Sequence, residues 1–221
     1  MKTIAYIHTD MKEKFGLPRQ SGVVPSLCGR IVFEPEFKNP DALRGLEGFS
    51  HIWVIWRFDG FDGEKWSPTV RPPRLGGNKR MGVFATRSPN RPNPIGLSVL
   101  KLDGIEGTDL LVSGVDMKDG TAVYDIKPYL KVSDCIPDAT EGFAAFTKDK
   151  KCKVSFECDA SPLSPDDKKT VIELLEQDPR PAYKNEPDRI YGMNYKGYEI
   201  RFKTADGKVT VIEVKEIKRH E

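Results

Sequence analysis

A chain of 221 residues, 38% hydrophobic and 31% charged, is long enough to bury a real core and has the composition of a soluble globular protein. No apolar stretch approaches a membrane span, and Met1-Lys2-Thr3-Ile4 does not open a secretory signal, so a cytoplasmic protein is expected. The formal charge of +2 hides a segregation: Lys65, Arg71, Arg74, Lys79, Arg80, Arg87, Arg91 and Lys101 lie in a stretch with no acid between Glu64 and Asp103, which leaves the rest of the chain net acidic.

In chain order, segments rich in β-branched and aromatic residues run Ile4 to Thr9, Gly29 to Glu34, His51 to Phe58, Val83 to Thr86, Leu97 to Leu102, Leu110 to Asp116 and Val123 to Tyr129. Asn39 to Gly45 reads as one short helix. Turn chemistry at Asp59-Gly60, Asp62-Gly63, Gly76-Gly77, Asp103-Gly104 and Asp119-Gly120 separates the strands. Many short strands at this spacing predict a mainly β protein with a closed or nearly closed barrel. Alternating strand–helix units and a Gly-x-Gly-x-x-Gly turn are missing, so a doubly wound nucleotide-binding sheet is not expected. Trp53 and Trp56 have odd spacing and should face opposite sides of their strand.

A second unit is expected from about residue 148, dividing the chain into a barrel over 1–147 and a small α+β domain over 148–221. Lys153 to Phe156 reads as a strand. Ser164-Pro165-Asp166-Asp167 is a helix start, with an N-cap, a proline at the first position and acids in the first turn. Tyr198 to Phe202 and Lys208 to Val214 form a hairpin across Asp206-Gly207. Arg180, Lys184, Arg189, Lys196 and Arg201 either extend a nucleic-acid surface or are simply solvated.

The run from Met81 to Leu102 carries the densest chemistry. Pro89, Pro92 and Pro94 stiffen a loop that displays Arg87, Asn90, Arg91 and Asn93. Together with Arg71, Arg74, Lys79 and Arg80 it makes a polyanion-binding face, and the arginines favour phosphate forks over mere solubility. A solvated basic face is the alternative. Trp66, at the start of this stretch, either stacks on an exposed base or packs beneath a loop. Cys28, Cys135, Cys152 and Cys158 lack metal spacing and are read as reduced, buried thiols. The only histidines are His8, His51 and His220. No metal site, phosphate-binding Walker loop or nucleophile elbow is present in the sequence. What remains is a reaction in which the protein positions and polarises while a cofactor supplies the reactive group.

Five segments bear a resemblance in this order: Pro18-Arg19-Gln20; Leu46 to Trp53; Arg71-Pro72-Pro73-Arg74-Leu75-Gly76-Gly77-Asn78; Gly82 to Gly96; and Asp119 to Tyr129. Together they closely resemble the TsaA-like family, whose bacterial members include tRNA methyltransferases. Asp178-Pro179-Arg180-Pro181-Ala182-Tyr183 resembles a segment near the end of the longer members. The resemblance implies a β-barrel unlike the fold of most methyltransferases, S-adenosyl-L-methionine as cofactor, and a homodimer with the donor site near the subunit interface. It implies as acceptor N6 of threonylcarbamoyladenosine beside the anticodon of threonine tRNA. Donor-binding positions then fall on Pro18, Arg19, Gln20, Asp59, Gly60, Arg87, Leu97, Val123, Tyr124, Asp125 and Ile126.

The residue chemistry agrees in part. Arg87 can fork a carboxylate, Leu97 can cover an adenine face, and the backbone around Tyr124 can read polar edges. Asp59 stands where the family commonly has a histidine, so its backbone is the expected contact. Asp125 is the candidate acceptor of the N6 proton, or else a structural carboxylate paired to Lys127. Arg91 and Asn93 are assigned to substrate positioning, or else they only close their own turn. A methyltransferase for another RNA or a small molecule, and a non-catalytic RNA-binding module, are the alternative functions.

Overall fold

The computed structural model describes residues 1–61, 63–64, 66–72, 79–147, 151–180, 186 and 188–217. Lys65, Arg74, the Gly76-Gly77 turn, Lys184 and His220, all singled out in the sequence, lie outside the described residues. The first eight strands are β1 (Ala5–Thr9), β2 (Cys28–Phe33), β3 (His51–Arg57), β4 (Thr69–Val70), β5 (Met81–Gly82), β6 (Ile95–Glu106), β7 (Asp109–Ser113) and β8 (Thr121–Pro128). Six of them close an antiparallel barrel in the order β1-β2-β7-β6-β3-β8, with β8 returning to β1. Alternation decides which side chains fill it. Ile7, Ile31, Ile52, Val54, Trp56, Leu100, Leu110, Val112 and Val123 point inward and are buried. Trp53, three positions from Trp56, lies on the outer wall, where its indole N–H donates to Asp134 Oδ2 at 2.8 Å.

Two expected elements take other forms. The strand predicted over Val83 to Thr86 is a 3-10 turn, Val83–Ala85. Thr86 closes it, its backbone N–H (3.0 Å) and its hydroxyl (2.8 Å) both donating to the Val83 carbonyl, so the chain turns rather than extends. The helix predicted over Asn39 to Gly45 is a single 3-10 turn, Pro40–Leu43, capped by Asn39 Oδ1 accepting from the Asp41 N–H at 2.9 Å. Nor are the thiols all buried: all four are free, but Cys28 and Cys135 are exposed, because β2 opens at the barrel rim and Cys135 follows the four-residue helix α1 (Lys131–Asp134).

The C-terminal part forms a four-stranded sheet in the order β10-β11-β12-β9, from β9 (Lys153–Phe156), β10 (Tyr191–Tyr195), β11 (Tyr198–Ala205) and β12 (Lys208–Glu216). Helix α2 (Pro165–Glu176) joins β9 to it, and the Ser164 hydroxyl caps α2 by accepting from the Asp167 N–H at 3.1 Å. Positive φ at Asp206 and Gly207 makes the tight turn between β11 and β12. Strand β10 was not foreseen, although Tyr191, Met193 and Tyr195 alternate inward along it.

The connection between β1 and β2 links the barrel to the C-terminal core. Met11, Val24 and Leu27 from that connection are buried with Val171, Leu174, Leu175, Met193 and Phe202 of the C-terminal sheet and helix. Each such side chain is worth about 2 kcal/mol of burial. Ser26 adds a polar tie, its N–H and hydroxyl donating to Glu173 Oε2 at 3.1 and 2.7 Å. Gly16 sits in the same contact at φ +90, where a Cβ would meet Met193 Sδ at 2.4 Å. Gly22, at φ +77, has open space around its missing Cβ. Gly16→Ala should therefore cost about 3 kcal/mol, strain plus overpacking, and Gly22→Ala only the strain of about 1 kcal/mol. Denaturant unfolding of the two variants checks the difference, and equal costs would remove the Met193 contact from the account.

Candidate functional site

The proline-stiffened loop is braced by its own polar groups. The Arg91 guanidinium donates to the Thr86 carbonyl at 3.4 Å, the Arg91 N–H to Pro89 O at 2.8 Å, and the Ile95 N–H to Asn93 O at 2.8 Å. Arg91 is thus partly engaged in closing its turn, while the Asn93 side chain stands exposed. The neighbouring loop packs tightly beneath: a Cβ at Gly63 would meet the Pro92 carbonyl at 2.1 Å. From this mount Arg87 reaches across to the β1–β2 connection and donates to Gln20 Oε1.

Behind that contact lies a carboxylate that sequence reasoning missed. Asp116 accepts the Ser98 hydroxyl at 2.7 Å, and Ser98 in turn accepts the Trp56 indole N–H at 2.9 Å. Gly96 leaves the room that Trp56 occupies, since a Cβ there would meet the ring at 2.1 Å. Asp116 also takes a backbone hydrogen bond from Ser21, whose hydroxyl accepts the Val99 N–H at 3.2 Å. The residue therefore fastens the connection carrying Pro18, Arg19 and Gln20 to the wall of the barrel. Burial pushes its carboxyl up to about 6, against hydrogen bonds from Ser98 and Ser21 and the charge of Arg87, which pull it down. The only signal in the sequence was an acid standing among apolar residues, Val115-Asp116-Met117.

Leu97, Ile55 and Asp125 are direct partners across β6, β3 and β8, so they form one row on the outer wall. Two strand spacings put Leu97 and Asp125 about 10 Å apart. Leu97 is 54% exposed, an unusual state for a leucine in mid-strand. In β8 the register skips Tyr124: Ile55 pairs with Asp125 but Trp56 with Val123. This bulge turns Tyr124 and Asp125 outward together and takes the Tyr124 backbone out of the ladder with β3. Asp125 pairs with Lys127 Nζ at 2.9 Å and accepts the Ile126 N–H at 2.9 Å.

Other sequence-predicted positions fall differently. The Val123 side chain is buried inside the barrel and Ile126 packs against the same core, so only their backbones face the site. Pro18 is buried, and Arg19 reaches the carbonyls of Asp178 and Arg180 in the C-terminal part at 3.4 and 3.2 Å. The Asp59 carbonyl accepts from Lys14 Nζ at 2.9 Å and its carboxylate pairs with Lys118 at 3.1 Å, while Gly60 turns the chain at φ +76.

The basic residues divide into two kinds. Arg180, Arg189, Lys196 and Arg201 are neutralised by Asp178, Glu186, Asp167 and Glu213. By contrast, Arg80 donates to the Thr69 hydroxyl at 2.8 Å, a neutral partner, and Arg71 and Lys79 are exposed. Among the described residues, no ion pair involves Arg71, Lys79, Arg80 or Arg91.

Family profiles described as the tRNA-methyltransferase O N-terminal and C-terminal domains match residues 6–135 and 151–217. The chain belongs to the tRNA-methyltransferase O family. An Escherichia coli relative named tRNA (adenine(37)-N6)-methyltransferase is 41% identical over 216 residues, covering 92% of each chain. A Pyrococcus abyssi relative named a probable S-adenosyl-L-methionine-binding protein is 38% identical over 133 residues, 60% of this chain and 69% of its own. A crystal structure of TrmO from Pseudomonas aeruginosa superposes with a TM-score of 0.78 at 32% identity, over 96% of each chain. In this TrmO-family chain the second profile spans the whole strand and helix set that packs against residues 11–27, which the first profile covers, so the two halves of the family pattern meet at one contact.

Because the Asp116 carboxyl is raised from its ordinary 3.8 to about 6, the fold holds this proton more tightly than the unfolded chain. Its contribution to stability is therefore greatest below about pH 4, falls as pH rises towards 6, and stays low above. Asp116→Asn should be about 3 kcal/mol more stable than the native chain at pH 8, with the difference vanishing near pH 4. Unfolding of both chains across that range reads it, and a pH-independent difference would contradict the burial account.

Proposed function

We propose that this protein methylates N6 of threonylcarbamoyladenosine beside the anticodon of threonine tRNA, using S-adenosyl-L-methionine. Likeness to the Escherichia coli methyltransferase over nearly the full length of both chains carries this reading. The residues on the outer wall fit the cofactor. Leu97 offers an open apolar face for a flat base, the outward Tyr124 backbone offers polar groups for its edges, and Arg87 keeps further N–H donors for a carboxylate after bonding Gln20. When bound, S-adenosyl-L-methionine supplies a methyl group activated by its sulfonium.

The chain's own part is positioning and one proton. Acylation draws the N6 lone pair towards the carbamoyl carbonyl, so N6 must lose its proton as it attacks. Asp125, turned outward by the bulge and oriented by Lys127, accepts that proton. Arg91 and Asn93 hold the substrate against the row, and fixed alignment of acceptor nitrogen and methyl supplies most of the rate. Arg71, Lys79 and Arg80 bind the RNA backbone, with Arg74 in the same motif. We read residues 1–147 as the methyl-transfer barrel and 148–221 as the unit bracing its donor loop. The enzyme works in the cytoplasm as a homodimer. Among the described residues no helix is long and apolar enough to cross a membrane. Val132 (95% exposed) and Ile136 (65%), which flank the Asp134 that holds Trp53, supply apolar surface for a subunit contact. Light scattering should return twice the chain mass, and a monomer at micromolar concentration would remove the dimer.

Incubation with methyl-labelled S-adenosyl-L-methionine and threonine tRNA, with and without threonylcarbamoyladenosine, followed by nucleoside mass spectrometry, tests the reaction. Label should appear on the modified tRNA alone. Label on neither, with the donor bound, would mean another acceptor. Asp125→Asn should slow turnover by about 10²- to 10⁴-fold at unchanged donor affinity. Near-normal turnover would take Asp125 out of the chemistry.

A further inference from the structure

Trp66 and Phe84 flank the short ladder between β4 and β5. Thr69 pairs with Gly82, Val70 with Met81, and the Val83 N–H donates to Pro68 O at 2.9 Å. That pairing draws the two rings together, with centroids 6.3 Å apart and planes 26° from parallel. The pair stays in water: Trp66 is 44% exposed and Phe84 74%. Leaving two such rings partly uncovered forgoes apolar burial, which a folded chain tolerates where the rings have another use.

Their surroundings say which use. Phe84 is three residues from Arg87 in the donor site, and the far end of the ladder leads to Arg71 and Arg80. The whole stretch between Glu64 and Asp103 contains no acid. Stacked aromatic faces beside Arg71 and Arg80, which make no ion pair among the described residues, match single-stranded nucleic acid, whose bases stack while its phosphates are held by charge. A second copy docking this patch onto its own equivalent would set arginines against arginines.

We propose that Trp66 and Phe84 form a stacking platform for an unpaired nucleobase of the RNA substrate, next to the base that receives the methyl group. The inference rests on the tRNA reading above and adds to it the means of selecting a loop over a duplex. A base in a helix keeps both faces covered by its neighbours, whereas one splayed from a loop can lay a face on the platform.

The test compares binding of an anticodon stem-loop carrying threonylcarbamoyladenosine with binding of a fully paired RNA hairpin of equal length. Trp66→Ala and Phe84→Ala should each weaken the stem-loop by about tenfold and the paired hairpin by under about twofold. The salt dependence should not change, because no phosphate contact is lost. Trp66→Phe and Phe84→Tyr should retain stem-loop affinity, and donor affinity should be unchanged in all four. Equal losses on the two RNAs, no loss on either, or an altered oligomeric mass in the alanine variants would overturn the platform. If the native protein binds and methylates the stem-loop and the variants match it, the platform alone fails. If the native protein neither binds nor methylates it, the tRNA reading fails and the platform with it.

Discussion

The anchoring of the β1–β2 connection, buried in the C-terminal core and hydrogen-bonded to the barrel wall, is the constraint on which the rest of this structure depends. Met11, Val24 and Leu27 are buried with the C-terminal sheet and helix, while Ser21 is fastened through Asp116 and Ser98 to the barrel wall. Gln20 lies beside Ser21 and receives Arg87 from the proline loop. Three segments far apart in sequence thus converge on one side of the barrel. Among the described residues the C-terminal part meets the candidate donor site through this connection, Arg19 included, and it limits how far the connection can move. Holding a loop from both sides favours a reaction whose rate comes from alignment, because little freedom remains to be lost when ligands bind.

The use of the barrel's outside also sets this fold apart from doubly wound sheets, where a nucleotide lies in a crevice at the carboxyl ends of parallel strands. Here the interior is filled by side chains, and the Trp56 ring takes the space that Gly96 vacates. That leaves the outer row Leu97, Ile55 and Asp125 and the bulge at Tyr124 as the surface on which we propose that the donor binds. A single extra residue in β8 sends two consecutive side chains outward, which uninterrupted alternation would forbid.

Charge is partitioned with similar economy. In the C-terminal part each described arginine discussed above has a carboxylate, and the pairs are partly exposed, so they add little to stability. In the basic stretch Arg80 and Arg91 are held by a hydroxyl and a carbonyl, which fix the guanidinium without cancelling its charge. Net charge conceals the distinction.

Much of this was legible in the sequence. Alternation and turn residues predicted the barrel strands, Ser164-Pro165 predicted the start of α2, and the odd spacing of Trp53 and Trp56 predicted opposite faces, because such signals are local and set by the backbone period. The density of prolines and arginines marked the candidate loop for the same reason. Other features needed the tertiary structure. The 3-10 turn at Val83–Ala85 follows from Thr86 competing for a carbonyl, the parallel pairing of β12 with β9 joins segments more than fifty residues apart, and the bulge at Tyr124 appears only against β3. Asp116 could not be recognised in advance, since its importance comes from burial beside Ser98 and Ser21. The sequence determined which residues can form strands, turns and donors; the tertiary structure decided which of them share a surface, because burial and long-range pairing depend on neighbours that no local pattern names.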